Sequence, residues 1–126
     1  PHLSRLCLYR VDSPHPIRDH IRAGDVLPAD RGTGGRVLIA FSNQPALAQT
    51  EEDRQLSAEI RARGYYASVG DRLAEVAGIS APVLKPDGQG GQTLAAALTL
   101  TMPAHRYNAD YIQPVLEAAA RLGKLV

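Results

Sequence analysis

The stretch ADRGTGGRVLIAF, residues 29–41, sets Gly32, Gly34 and Gly35 at the start of what reads as an apolar helix. Glycine loses more backbone entropy on folding than any other residue, so three together need a reason. Two readings are open. The first N–H groups of a helix lack intrahelical acceptors and attract anions, and glycine lets a ligand approach them closely. Alternatively, a tight loop turns into a helix that packs hard on a sheet. The pattern is neither GxxxxGK[ST] nor GxGxxG, so neither nucleotide fingerprint is present. A second candidate is LTLT, residues 98–101. On a strand Thr99 and Thr101 share one face, and Leu98 and Leu100 the other. Beneath a helix, two hydroxyls would face an enclosed space that a polar ligand could satisfy. Left uncovered, the same face is wet and threonine is simply a good strand former.

Other chemistry finds little support. His15 and His20 lie near Asp19 in HPIRDH, but the spacing fits no standard zinc pattern, and on a strand Asp19 and His20 point to opposite faces. No metal or cofactor is expected. There is no GxSxG, and the single cysteine, Cys7, falls in an expected buried strand, where a thiol is inert. With no nucleophile–base pair in view, no catalytic residue is assigned.

The elements that must position these residues follow from periodicity. RLCLYRV and PIRDHI read as strands, and RAGD as a turn. The glycine-rich helix carries Val37, Leu38 and Phe41 on one face. In TEEDRQLSAEIRARG, Thr50 caps with Asp53 three residues on, Leu56 and Ile60 share the buried side, and Gly64 stops the helix. YYASV, VAGISAPVL and TLAAALTLTM read as strands, the last two joined by the loop KPDGQGG. A final helix runs through NADYIQPVLEAAARLGKL, capped by Asn108, bent early by Pro114 and ended by Gly123. The order strand, strand, helix, helix, strand, strand, strand, helix indicates an α+β domain with an antiparallel sheet covered by helices.

Bulk properties bound the function. The chain's 126 residues fit one domain, and 44% hydrophobic content supplies a core. A formal net charge of +1 is too balanced for nucleic-acid binding through the overall field. No run of apolar residues is long enough for a membrane span. One cysteine excludes an internal disulfide and fits a reducing cytoplasm.

RVDSPHPIR, AGDVLPADRGTGGRVLIAF, IRARGYYASVGDRLAEVAGISAPVLKPDG and LTLTMPAHRYN occur in that order, and together they resemble the effector-binding domain of IclR-type bacterial transcription regulators. The likeness runs from about Cys7 to Leu122. It implies a GAF-like domain, a curved antiparallel sheet flanked by helices, whose pocket takes a small organic or aromatic acid. It implies a single effector-binding domain over residues 1–126, without the first strand and the N-terminal winged helix-turn-helix through which full-length relatives bind DNA. It implies assembly as a homodimer or tetramer. Carried over residue by residue, the effector site falls on Leu27, Thr33, Gly34, Ser68, Val76, Gly78, Thr99 and Thr101. The chain departs from the family pattern at Gly32 in place of a Thr or Ser cap, at Gly35-Arg36 in place of Gly-Lys, and at Glu75 and Met102 near or at common glycines. Ser68 stands where some relatives carry an acid. These departures bear on ligand identity. Two rival classes stay open, a small enzyme on a similar sheet and a dimerisation module with an empty pocket.

Overall fold

A computed structural model describes residues 4–11, 23–28, 32–42, 44, 47–48, 50–71 and 73–126. PIRDHI and the histidines within and before it lie outside these residues. The elements run β1 (Ser4–Leu6), β2 (Val26–Pro28), α1 (Thr33–Phe41), α2 (Glu51–Arg63), β3 (Tyr66–Val69), β4 (Val76–Pro86), β5 (Gln92–Pro103) and α3 (Ile112–Leu125). β1 and β2 form an antiparallel ladder; β3, β4 and β5 form an antiparallel sheet in that order, with β4 central.

Alternation along β4 divides the sheet into two faces. Ile79, Ala81 and Val83 point to one face and meet Val115 and Ala119 of α3, with Leu98 and Met102 of β5 packed against them. Residues 78, 80 and 82 point to the other, where Val37 and Ala40 of α1 and Ile60 of α2 form a second core with Tyr66 and Ala97. Ile60, Ile79 and Val37 are essentially sealed from solvent, each contributing roughly 1.5–3 kcal/mol of hydrophobic stabilisation. This is the α+β architecture that the element order implies. A register shift after Val83↔Ala96 makes Leu84 pair with Leu94 and leaves Ala95 over. That bulge returns Leu94 to the α1 side of the sheet.

Helix ends are set locally. Thr50 accepts a hydrogen bond from the Asp53 N–H at 3.0 Å, three acids occupy the first turn of α2, and Gly64 closes it with φ 87°. In the β4–β5 loop the Asp87 carboxylate accepts from the Gln89 and Gly91 N–H groups.

Three expectations need correction. β1 is shorter than RLCLYRV: past Leu6 the pairing continues through Cys7, by Cys7 N–H to Asp25 O and Gly24 N–H to Cys7 O. Leu8, Tyr9 and Val11 are left exposed, and Cys7 is half-buried rather than sealed in a strand. The last helix is divided, because Asn108 caps a 3-10 turn, Ala109–Tyr111, ahead of α3. Pro114 is the third residue of α3, where a missing N–H costs no intrahelical bond. Gly123 does not stop α3; it lies buried inside it. There a Cβ would run into the backbone carbonyl of Leu84, so the glycine lets α3 lie directly on β4.

Alanine at an ordinary helix position gains up to about 1 kcal/mol over glycine. Gly123→Ala is expected to lose about 1–3 kcal/mol instead, because a backbone carbonyl cannot swing away. Urea unfolding checks this; a variant more stable than the parent would contradict the close approach of α3 to β4.

Candidate functional site

The start of α1 lies on the threonine face of the sheet. Gly32 forms its N-cap at φ 83° and ψ 150°, a conformation open to glycine and strained for other residues, and no side chain caps the helix. Thr33, Gly34 and Gly35 are all buried. Antiparallel register sets two rows beneath them: Tyr66, Ser80 and Thr99 in one, and Ser68, Gly78 and Thr101 in the next.

Contact between helix and sheet is made by small residues. A Cβ on Gly78 would fall 2.6 Å from Thr33 Oγ1 and 3.3 Å from its Cγ2. The Thr33 side chain therefore occupies the space that glycine leaves. The Ser80 hydroxyl is fully buried; it donates to Thr33 Oγ1 at 3.2 Å and hydrogen-bonds Thr99 Oγ1. Such a chain satisfies a polar group that burial would otherwise penalise. In the neighbouring row Ser68 and Thr101 are only half-buried. Their positions on either side of Gly78 leave a polar floor beside the helix start.

Over Gly34 an arginine side chain and a hydroxyl come close. A Cβ there would meet Arg5 Nη1 at 2.5 Å and Thr99 Oγ1 at 2.9 Å. The Arg5 guanidinium, the Thr99 hydroxyl and the first turn of α1 thus converge on one point. Leu27 is the register partner of Arg5, so it stands beside that side chain on the β1–β2 ladder. Val76 pairs with Pro103 at the end of the sheet and shares the face of Gly78 and Ser80 by alternation. Thr33, Gly34, Gly78 and Thr99 come into direct contact; Ser68, Thr101 and Val76 continue the same face; Leu27 approaches through Arg5.

Arg36 is turned to the side of the helix. Its guanidinium grips Asp71 in a two-pronged pair, Nε to Oδ2 at 2.5 Å and Nη2 to Oδ1 at 3.0 Å, with Asp53 at 3.9 Å. The hydrogen bond to Asp71 holds the Arg36 pKa above its ordinary value, outweighing the opposing effect of burial. A raised arginine pKa contributes stability that persists until alkali deprotonates the group, so on this side the pair is constant around neutrality. It ties α1 to the turn after β3.

The sequence alone did not single out Ser80, Arg5 or Asp71. Ser80 was accessible in principle, because two-residue alternation from Gly78 puts it on the same face. Nothing local marks Arg5, which reaches Gly34 only through the fold. Among the described residues no cluster of His, Cys, Asp or Glu is placed to hold a metal, and no helix is long and apolar enough to cross a membrane.

No protein-family model and no curated protein matches the chain. Solved structures do. A C-terminal domain of a candidate transcriptional regulator from Vibrio cholerae is 25% identical with a TM-score of 0.77, over 94% of this chain and 78% of that one. A candidate IclR-family regulator from Rhodococcus sp. is 27% identical with a TM-score of 0.80, over 98% of this chain and 52% of that one. This chain therefore spans about half of that regulator. The fold is also that of a double mutant of the Acinetobacter PobR inducer-binding domain, solved with 3-hydroxybenzoic acid, at 21% identity and a TM-score of 0.66, over 83% of this chain and 70% of that one.

The Thr33–Gly78 contact gives a direct test. Gly78→Ala is expected to cost about 1–3 kcal/mol by forcing α1 away from the sheet. Adding Thr33→Ala removes the obstructing atoms, so the double variant should lose less than the sum of the two single changes. Additive losses in a denaturation cycle would show that the two residues do not share the space. Separately, Arg36→Gln should cost about 1.5–3 kcal/mol, the loss expected when a charged hydrogen-bonding group is removed, with no such loss for exposed Arg54→Gln.

Proposed function

We propose that this IclR-type effector-binding domain senses a small organic or aromatic acid and passes its occupancy to a DNA-binding helix-turn-helix elsewhere in the whole protein. One observation carries the reading: the uncapped start of α1, the Arg5 guanidinium and the Thr99 hydroxyl converge over Gly34. A carboxylate leaving water needs several donors, and charge-assisted hydrogen bonds are the strong ones. In this reading the carboxylate accepts from the first-turn N–H groups near Gly34, with the helix dipole favouring negative charge. Thr101 and Ser68 present further hydroxyls on the floor, and Leu27 and Val76 border the organic part of the ligand. Thr33 and Ser80 act as spacers that hold helix and sheet apart at the right distance. That PobR's domain holds an aromatic acid on the same fold supports the ligand class.

The domain works as a sensor and not as an enzyme in this proposal, without a cofactor, in the cytoplasm, and within a homodimer or tetramer. A ligand can shift such an assembly only through different affinities for its two states. DNA contact belongs to a part of the protein outside this chain, since the chain's own charge is near zero.

Two experiments test it. A thermal-shift screen over organic and aromatic acids should find a stabilising ligand, and titration calorimetry should then rank the variants. Thr101→Val keeps shape and strand propensity but removes a donor, so affinity should fall about 10- to 150-fold. Gly34→Asp adds bulk and a like charge, and should fall further. Binding as tight as the parent in both variants would place the site elsewhere. In gel shifts, the isolated chain should give no sequence-selective, salt-sensitive complex with duplex DNA; such a complex would overturn the division of labour.

A further inference from the structure

We infer that the domain has a second small-molecule site, at the opposite end of α1 from the one proposed above, suited to a compact aromatic monocarboxylate. A cleft of about 380 Å³ opens there, lined by Phe41 and Ser42 at the end of α1, Arg61 of α2, and Leu84, Thr93 and Leu94 of the β4–β5 hairpin. That volume lies within the range of ligand pockets. The register shift after Val83↔Ala96 makes the site: it pairs Leu84 with Leu94 on the α1 side of the sheet. Phe41, Leu84 and Leu94, all half-buried, give the cleft an apolar body.

Its polar edge is cationic. Two last-turn carbonyls of α1, which would repel an anion, are engaged by side-chain donors. The Ser42 hydroxyl donates to Ile39 O at 2.8 Å, and one Arg61 Nη donates to Ala40 O at 3.1 Å. That bond anchors the guanidinium at the rim and occupies one of its five N–H donors. The remaining fork can take a carboxylate, and it is the only formal charge among the described lining residues. A ring against Phe41, Leu84 and Leu94 with a carboxylate on Arg61 satisfies both halves. A cation is disfavoured by Arg61, and a purely apolar molecule would leave the guanidinium unused. The cleft lies about nine residues of helix from the start of α1, so one small acid cannot bridge both places.

The test is a two-dimensional amide NMR titration of the chain with benzoate. Saturable shifts are expected at Phe41, Ser42, Thr93 and Leu94. Arg61→Gln should weaken them at least tenfold. Leu94→Glu, which adds a like charge without touching the Arg61–Ala40 bond, should do the same. Shifts confined to the Thr33, Gly34 and Thr101 region would overturn the second site and leave the proposed function standing. Shifts in the cleft alone would uphold it while counting against the first site for benzoate. Cleft shifts of equal affinity in both variants would overturn it.

Discussion

Everything at the candidate site depends on how closely α1 lies on the sheet. That distance is set where Thr33 enters the space over Gly78, with the Ser80 hydroxyl joining Thr33 to Thr99. A larger residue at 78 would lift the helix, and a residue without a hydroxyl at 80 would leave a buried polar atom short of a partner. Two small residues, one row apart on β4, therefore fix the height of a helix start above two threonines. On the opposite face Gly123 plays the corresponding part for α3, which rests on the backbone of the same strand. The central strand is thus gripped from both sides by helices that approach through glycine.

Gly32, Gly34 and Gly35 are therefore kept for more than one reason. Gly32 is required by backbone conformation. Gly34 leaves room for Arg5 and Thr99 over the helix start. The packing and ligand readings are therefore compatible, because a helix close enough to pack on Gly78 also brings its first turn against the β5 hydroxyls. Arg36 and Asp71 brace the same helix from the side.

Much of the fold was legible because its signals are local. The Thr50 cap, the Gly64 stop, the KPDGQGG loop and the alternation in LTLT each act within a few residues, and each has its place in the structure. The sheet rows extended that reading, since Gly78 and Thr101 pair across β4 and β5. What the sequence hid is long-range. RLCLYRV has strand composition throughout, yet the strand itself spans Ser4–Leu6 and Cys7 adds the last bonds to Asp25 and Gly24. Gly123 resembles a helix stop, but its role depends on a carbonyl 39 residues earlier in the chain. Arg5 reaches Gly34 from a separate ladder, and Arg36 reaches Asp71 across 35 residues. No periodicity reports such contacts.

The central claim is that the start of α1 and the threonine face together hold a carboxylate. The most direct measurement is a crystal structure of the chain with the acid that stabilises it most. The account predicts a carboxylate oxygen within hydrogen-bonding distance of the Gly34 N–H, with the Thr101 hydroxyl turned toward the ligand and Thr33 still seated on Gly78. A bound acid that leaves the Gly34 N–H and the Thr101 hydroxyl untouched would contradict it.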